Sequence, residues 1–235
     1  MRIAFSAAAK PYAPCPLLVR NQSQSLLIIC DGTGSWGWGV EAAAYALPQL
    51  AALWKRDSRI DAAEIQRDLI RVGEEAERRF NDEKNDGAEF SGLVALIDGD
   101  AVQIVHAGWY EAALLRSDRE VARTRSTSVA DKFIAEGKWP AEGLSTDHPT
   151  YFMSAGPFLG DPDSVEPIIE PAWALLPGDL LAALPRHAWI RLGAPAVWEI
   201  ANAEPLDPAL ALLKLGEERE AGLSACAVLR FEAGP

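Results

Sequence analysis

The sequence is short of the residues that build transition-metal sites and disulfide frameworks. Its three cysteines, Cys15, Cys30 and Cys226, stand far apart, with no Cys-x-x-Cys pair among them. Buried reduced thiols are the expectation, and a zinc site is not. The three histidines, His106, His148 and His187, are equally scattered, and none falls at the spacing of a helical metal motif. Basic residues are also in deficit: 22 Lys and Arg face 34 Asp and Glu, a formal net charge of -12. A field of that sign repels nucleic acid and anionic membrane surfaces, so neither is an expected partner. No apolar run approaches the roughly 20 residues of a membrane span. Met1 to Lys10 matches a secretory signal poorly, which makes the cytoplasm the expected location. Internal repeats and low-complexity linkers are missing as well. With 49% hydrophobic and 24% charged residues in 235, one globular domain over 1–235 is the simplest organisation.

What is present is organised around Leu26-Leu27-Ile28-Ile29-Cys30-Asp31-Gly32-Thr33-Gly34-Ser35-Trp36-Gly37-Trp38-Gly39. A short apolar run without helical period reads as a buried strand. It carries one carboxylate, Asp31, into a glycine-rich turn that opens an alanine-rich helix reaching about Trp54, which Pro48 should bend or divide. A carboxylate beside backbone that a ligand can approach closely suits metal or phosphate chemistry; equally, a loop aspartate can serve only its turn.

Around that stretch the elements follow in order. Leu17 to Arg20 and Ser25 to Cys30 form a hairpin about a polar tetrad. Asp61 and Glu64 make a capping box for a helix from Ala62 to Phe80. Phe90 to Asp98, Ala101 to Ala107 and Tyr110 to Arg116 read as a meander turning on Asp98-Gly99-Asp100, with Val121 to Thr124 as a short fourth strand. Ser126 to Glu136 is a helix closed by Gly137. Ile168-Ile169, Trp173 to Leu176 and Leu180 to Leu184 are strands. Pro195 opens a helix to about Ala203, Asp207-Pro208 another to about Glu218, and Leu223 to Glu232 closes as a strand.

Gly32-x-Gly34-x-x-Gly37 has the form of a dinucleotide fingerprint. That motif needs a second parallel strand ending in an acidic residue roughly 20 residues on, and here a second helix follows instead.

The order of elements and several short motifs resemble the metal-dependent 2C-type protein serine/threonine phosphatases. The carriers are Leu27-Ile28-Ile29-Cys30-Asp31-Gly32-Thr33-Gly34, the hairpin ending in Ala107-Gly108, His148-Pro149, Phe158-Leu159-Gly160, and Leu176-Pro177-Gly178-Asp179-Leu180-Leu181. The resemblance implies an α+β fold, a four-layer α-β-β-α sandwich of two packed antiparallel sheets flanked by helices. It implies two divalent cations, Mn or Mg, held by carboxylates from separate strands and activating the attacking water.

Asp31 and the Gly32 carbonyl match that family's bridging ligand and its neighbour. The other ligand positions depart from the pattern. Pro14-Cys15-Pro16, Gly108-Trp109-Tyr110, Pro185-Arg186-His187 and Leu223-Ser224 bring no carboxylate where the family has one. One carboxylate cannot hold two hard dications that each want about six oxygen ligands. The expectation is therefore a pseudophosphatase with no catalytic residues and no cofactor, acting as a binding or regulatory module for a protein partner or a phosphoprotein. The alternative is a weakly active or altered metal-dependent phosphatase, with Asp31 and Gly32 holding Mn or Mg in a residual site.

Binding candidates in the former active-site cleft are Arg186, Trp109 and Trp36. Arg186 is expected to point inward and pair with Asp31 in place of the metals, or, with the glycine-loop amides, to hold a phosphate. The indoles of Trp36, Trp38 and Trp109 either fill space left by the metals or form a partner surface.

Overall fold

The computed structural model describes residues 1–21, 23–32, 38–55, 59–80, 89–140, 159, 166–203 and 206–234. Its strands are β1 (Arg2–Ala9), β2 (Leu17–Arg20), β3 (Gln24–Gly32), β4 (Phe90–Asp98), β5 (Ala101–Ala107), β6 (Tyr110–Arg116), β7 (Arg119–Arg123), β8 (Ile168–Ile169), β9 (Trp173–Ala174), β10 (Leu180–Pro185) and β11 (Ala225–Glu232). Its helices are α1 (Trp38–Trp54), α2 (Ala62–Phe80), α3 (Val129–Ala135), α4 (Arg186–Ala203) and α5 (Pro208–Glu218). One sheet runs β1-β11-β10-β6-β7; the other runs β2-β3-β4-β5-β8, with β9 also on β5. Every pairing is antiparallel.

Side-chain alternation along the strands builds three apolar layers. On β3, Leu26, Ile28 and Cys30 pack with Leu47, Leu50, Trp54, Ile65 and Leu69 of α1 and α2. Leu27 and Ile29 face the other way, to meet Leu93, Tyr110, Leu114, Leu181 and Phe231 between the sheets. The opposite faces of β6, β10 and β11 carry Ala113, Leu115, Ala182 and Val228 against Trp189, Leu192, Leu212 and Leu213 of α4 and α5. This is the expected α-β-β-α sandwich.

The departures are local. Pro48 lies inside α1 without dividing it, because Ala42, Ala43, Ala46, Leu50 and Ala51 hold one continuous face on the sheet. β1 escapes a reading by pattern: it is an edge strand of small residues, Arg2-Ile3-Ala4-Phe5-Ser6-Ala7-Ala8-Ala9, with little strand propensity of its own. It is specified by the register with β11, from Arg2 opposite Glu232 to Ala9 opposite Ala225. The helix opened by Pro195 is the second half of α4, which kinks at Gly193 (φ 74°); the first half starts at Arg186, where no helix is expected. α3 is shorter than its sequence suggests and starts after the N-cap Ser128. Strand β7 begins earlier, at Arg119, because Ser117 and Asp118 turn the chain with positive φ.

Candidate functional site

Asp31 follows Leu27 and Ile29 on the same face of β3, so alternation aims its carboxylate between the sheets. It is 4% exposed. Tyr110, the first residue of β6, enters the same layer from the facing sheet and donates its phenol to Asp31 Oδ2 at 3.2 Å, with the Ala225 carbonyl at 3.0 Å. Ser224, just before β11, donates to the same Asp31 oxygen at 2.5 Å. Trp109 is half-buried against this layer, and its side chain adds a weaker attraction to the carboxylate.

Two glycines allow the chain to come this close. A Cβ on Gly32 would lie 2.1 Å from the Val40 nitrogen, and one on Gly108 (φ 83°) would lie 2.1 Å from Ser91 Oγ. That Ser91 hydroxyl accepts from the Trp109 amide at 3.1 Å, fixing the turn into β6.

Burial raises the Asp31 carboxyl above its ordinary value; hydrogen bonds from Ser224, Tyr110, the Gly32 backbone and Trp109 offset this only in part. Burial and the neighbouring Asp31 charge also push the Tyr110 phenol up, so it stays a donor. A carboxyl with a raised folded pKa binds more protons folded than unfolded, and so lowers stability as pH rises between the two values. Asp31→Asn keeps one side-chain oxygen for Tyr110 and Ser224. It is expected to melt above the parent near neutral pH, with the gap closing towards about pH 4. Thermal unfolding followed by circular dichroism across that range checks the sign.

Arg186 is elsewhere. Tyr110 and Glu111 are neighbours on β6, so their side chains leave opposite faces: Tyr110 points between the sheets, Glu111 towards α4. Arg186, at the start of α4, lies on the Glu111 side and bonds Glu111 at 2.6 Å and Asp131 of α3 at 2.5 Å, with Ser126 also in contact. The expected Asp31–Arg186 pair does not form; β6 separates the two. Arg123 of β7 completes this second cluster. It bonds Glu111 at 3.2 Å, pairs with Glu120, and lies 4.3 Å over the Trp189 ring. Trp189 in turn donates its indole N–H to the Glu111 carbonyl at 3.0 Å.

Burial alone would raise Asp131, but Ser126, Ser128 and the Arg186 charge hold its carboxyl below the ordinary value. The phosphate site expected of Arg186 and the glycine-loop amides falls in part outside the described residues, at 33–37, and Arg186 itself is paired with Glu111 and Asp131, across β6 from Asp31.

Of the sequence candidates, Asp31, Gly32 and Trp109 come together, Arg186 stands apart, and Trp36 lies outside the described residues with Thr33, Gly34, Ser35 and Gly37. His148-Pro149, Phe158 and Gly160 also fall outside them; Leu159 is placed, and pairs with Phe90. The sequence reading overlooked Tyr110 and Ser224 as the partners of Asp31. The signal was available, since both stand in the stretches, Gly108-Trp109-Tyr110 and Leu223-Ser224, where the resembled family brings carboxylate ligands.

No protein-family model and no curated protein sequence matches the chain. Solved structures do. A serine/threonine phosphatase of S. agalactiae superposes with a TM-score of 0.82 at 19% identity, covering 98% of this chain and 100% of that one. The Mycobacterium tuberculosis serine/threonine phosphatase PstP/Ppp gives 0.77 at 19% identity, over 98% and 99%. The chain has the fold of the metal-dependent serine/threonine phosphatases. A third structure on this phosphatase fold, the catalytic domain of PstP in complex with two manganese ions, matches at a TM-score of 0.71 and 18% identity over 97% and 96%.

Whether this chain's residues fit such a pair of ions is a question of donors. Among the described residues no group of three or more His, Cys, Asp or Glu side chains is gathered as a metal site. Asp31 stands instead among an indole, a phenol and a serine hydroxyl, with Tyr110 and Ser224 directed onto one of its oxygens. That donor set does not fit two hard dications, which want anionic and carbonyl oxygens.

Proposed function

We propose that this chain is a pseudophosphatase, a phosphatase-fold module that binds a partner and does not hydrolyse phosphoesters. The observation that carries the reading is the environment of Asp31. Its carboxylate is hydrogen-bonded by Tyr110 and Ser224, and the neighbouring position at Trp109 offers an indole in place of an oxygen ligand. A phosphatase of the two-metal type needs its ions to make the nucleophile and to neutralise the leaving charge. Function follows such a site and not the fold that carries it. The proposed partner is a protein, or a phosphoprotein recognised without turnover. A net charge of -12 argues against general affinity for nucleic acid or anionic membrane, because it slows the approach of any polyanion. No helix among the described residues is long and apolar enough to cross a membrane.

The test is calorimetric titration with manganese and with magnesium, beside hydrolysis of a phosphoserine peptide in the same buffers. Neither ion is expected to give a saturable isotherm, and no metal-dependent release of phosphate is expected. Micromolar binding that disappears in Asp31→Ala, or metal-dependent turnover, overturns the proposal in favour of a weakly active enzyme with a residual site at Asp31 and Gly32.

A further inference from the structure

Beyond the Asp31 site, the cluster between β6, β7, α3 and α4 surrounds a cavity of about 380 Å³ lined by Arg123, Arg186, Glu111, Asp131 and Trp189. Ser126 stands at its lip, exposed, in the irregular segment 124–127 between β7 and α3. Its hydroxyl touches both the Arg186 guanidinium and the Asp131 carboxylate. Arginines precede it at 123 and 125, and the Arg125 side chain is 63% exposed. The sequence Arg123-Thr124-Arg125-Ser126 thus offers an exposed hydroxyl behind basic residues on a segment outside any helix or strand, held at Thr124 by Ala112 and at Arg125 by Glu170.

We propose that Ser126 is phosphorylated by an arginine-directed serine kinase, and that the phosphate takes Asp131's place on Arg186 and releases α3. This inference does not rest on the pseudophosphatase reading, because the cluster lies across β6 from Asp31. In the reaction the Ser126 oxygen attacks the γ-phosphorus of ATP, the bond to the β-phosphate oxygen breaks, ADP leaves, and the hydroxyl proton passes to solvent.

The product brings a charge of about -1.5 to -2 into a place already holding Glu111 and Asp131. One of the two carboxylates must yield. Glu111 is 6% exposed on a strand paired on both sides and bonds both arginines. Asp131 is 36% exposed, on a helix of seven residues. Asp131 therefore moves, while Arg186 keeps a fork suited to phosphate. Its departure costs α3 the Arg186 ion pair and the contact of its carboxylate with the N-cap Ser128. A helix this short has little stability without tertiary hold.

The experiment uses the full chain. First, it is incubated with ATP and the catalytic subunit of the cyclic-AMP-dependent kinase as an arginine-directed probe, and the modified residue is located by tandem mass spectrometry. Modification at Ser126, lost in Ser126→Ala, is expected; modification confined to Thr124, Thr127 or Ser128, or none, overturns the site. Second, phosphoserine is installed at 126 by nonsense suppression and amide hydrogen exchange is compared with the unmodified chain. Residues 131–137 are expected to exchange about tenfold faster or more, with β3 to β5 unchanged. Unchanged protection of α3 overturns the release.

Discussion

Tyr110→Ala is expected to cost about 3–5 kcal/mol of stability, as for other large aromatic truncations in closed cores. The ring is fully buried between the sheets with Ile29, Leu93, Leu181 and Phe231, so its removal leaves a void lined by apolar atoms from both. The loss goes beyond volume, since the same side chain holds Asp31 and the Ala225 carbonyl across the layer. Tyr110→Phe separates the two effects: it keeps the ring, removes the donor, and should cost about 1–3 kcal/mol, the range for stranding a buried polar partner. Urea unfolding of both variants reads the difference. A phenylalanine variant as stable as the parent would mean that the phenol contributes nothing to holding Asp31, which then rests on Ser224, the Gly32 backbone and Trp109. A cost equal to that of alanine would place the whole contribution of Tyr110 in its hydroxyl.

Much of this architecture is legible before any coordinates. The hairpin about Asn21 to Gln24, the capped helix at Ala62 and the meander after Phe90 each carry a period and a turn signal that agree, and each forms close to where it is read. The resemblance in element order supplied the layers, and the superpositions on solved phosphatases bear that out. What failed depended on contacts remote in sequence. β1 needs β11 to exist. The helix at Arg186 begins directly from β10, with no capping residue to announce it. The Asp31–Arg186 pair was proposed because both occupy ligand positions of the resembled family, a relation along the chain that does not include which face of β6 each side chain meets. Strand parity would have separated them: Tyr110 shares a face with Ala112 and Leu114 and so goes to Asp31, while Glu111 takes the other face and with it Arg186.

Glu170→Gln is expected to cost about 3 kcal/mol at neutral pH and about half a kcal/mol or less near pH 2. Glu170 follows β8 and is 4% exposed. One of its carboxylate oxygens receives His106 Nε2 at 3.0 Å, the Arg125 amide at 2.9 Å and Arg125 Nε at 3.2 Å. Its own backbone is fixed on β5, through the Ile104 carbonyl and the Gln103 side chain. It therefore fastens the edge of one sheet to the segment that leaves β7 of the other. An ionised carboxylate only accepts, so His106 must carry its proton on Nε2; Nδ1 has no hydrogen-bond partner among the described residues.

Burial works against the charge of Glu170, but His106 and Arg125 outweigh it and hold the carboxyl at about 2, against an ordinary 4.5. A carboxyl lowered on folding stabilises fully above its unfolded value, and that contribution drains away as pH falls through the folded one. The gap between parent and Glu170→Gln should thus be constant above about pH 5, shrink to a small remainder by about pH 2 and vanish only below it. Denaturant midpoints measured down that range decide it: a gap that persists at the acid end assigns the loss to altered packing of the amide, and a gap missing at neutral pH removes Glu170 as the fastening between the sheets.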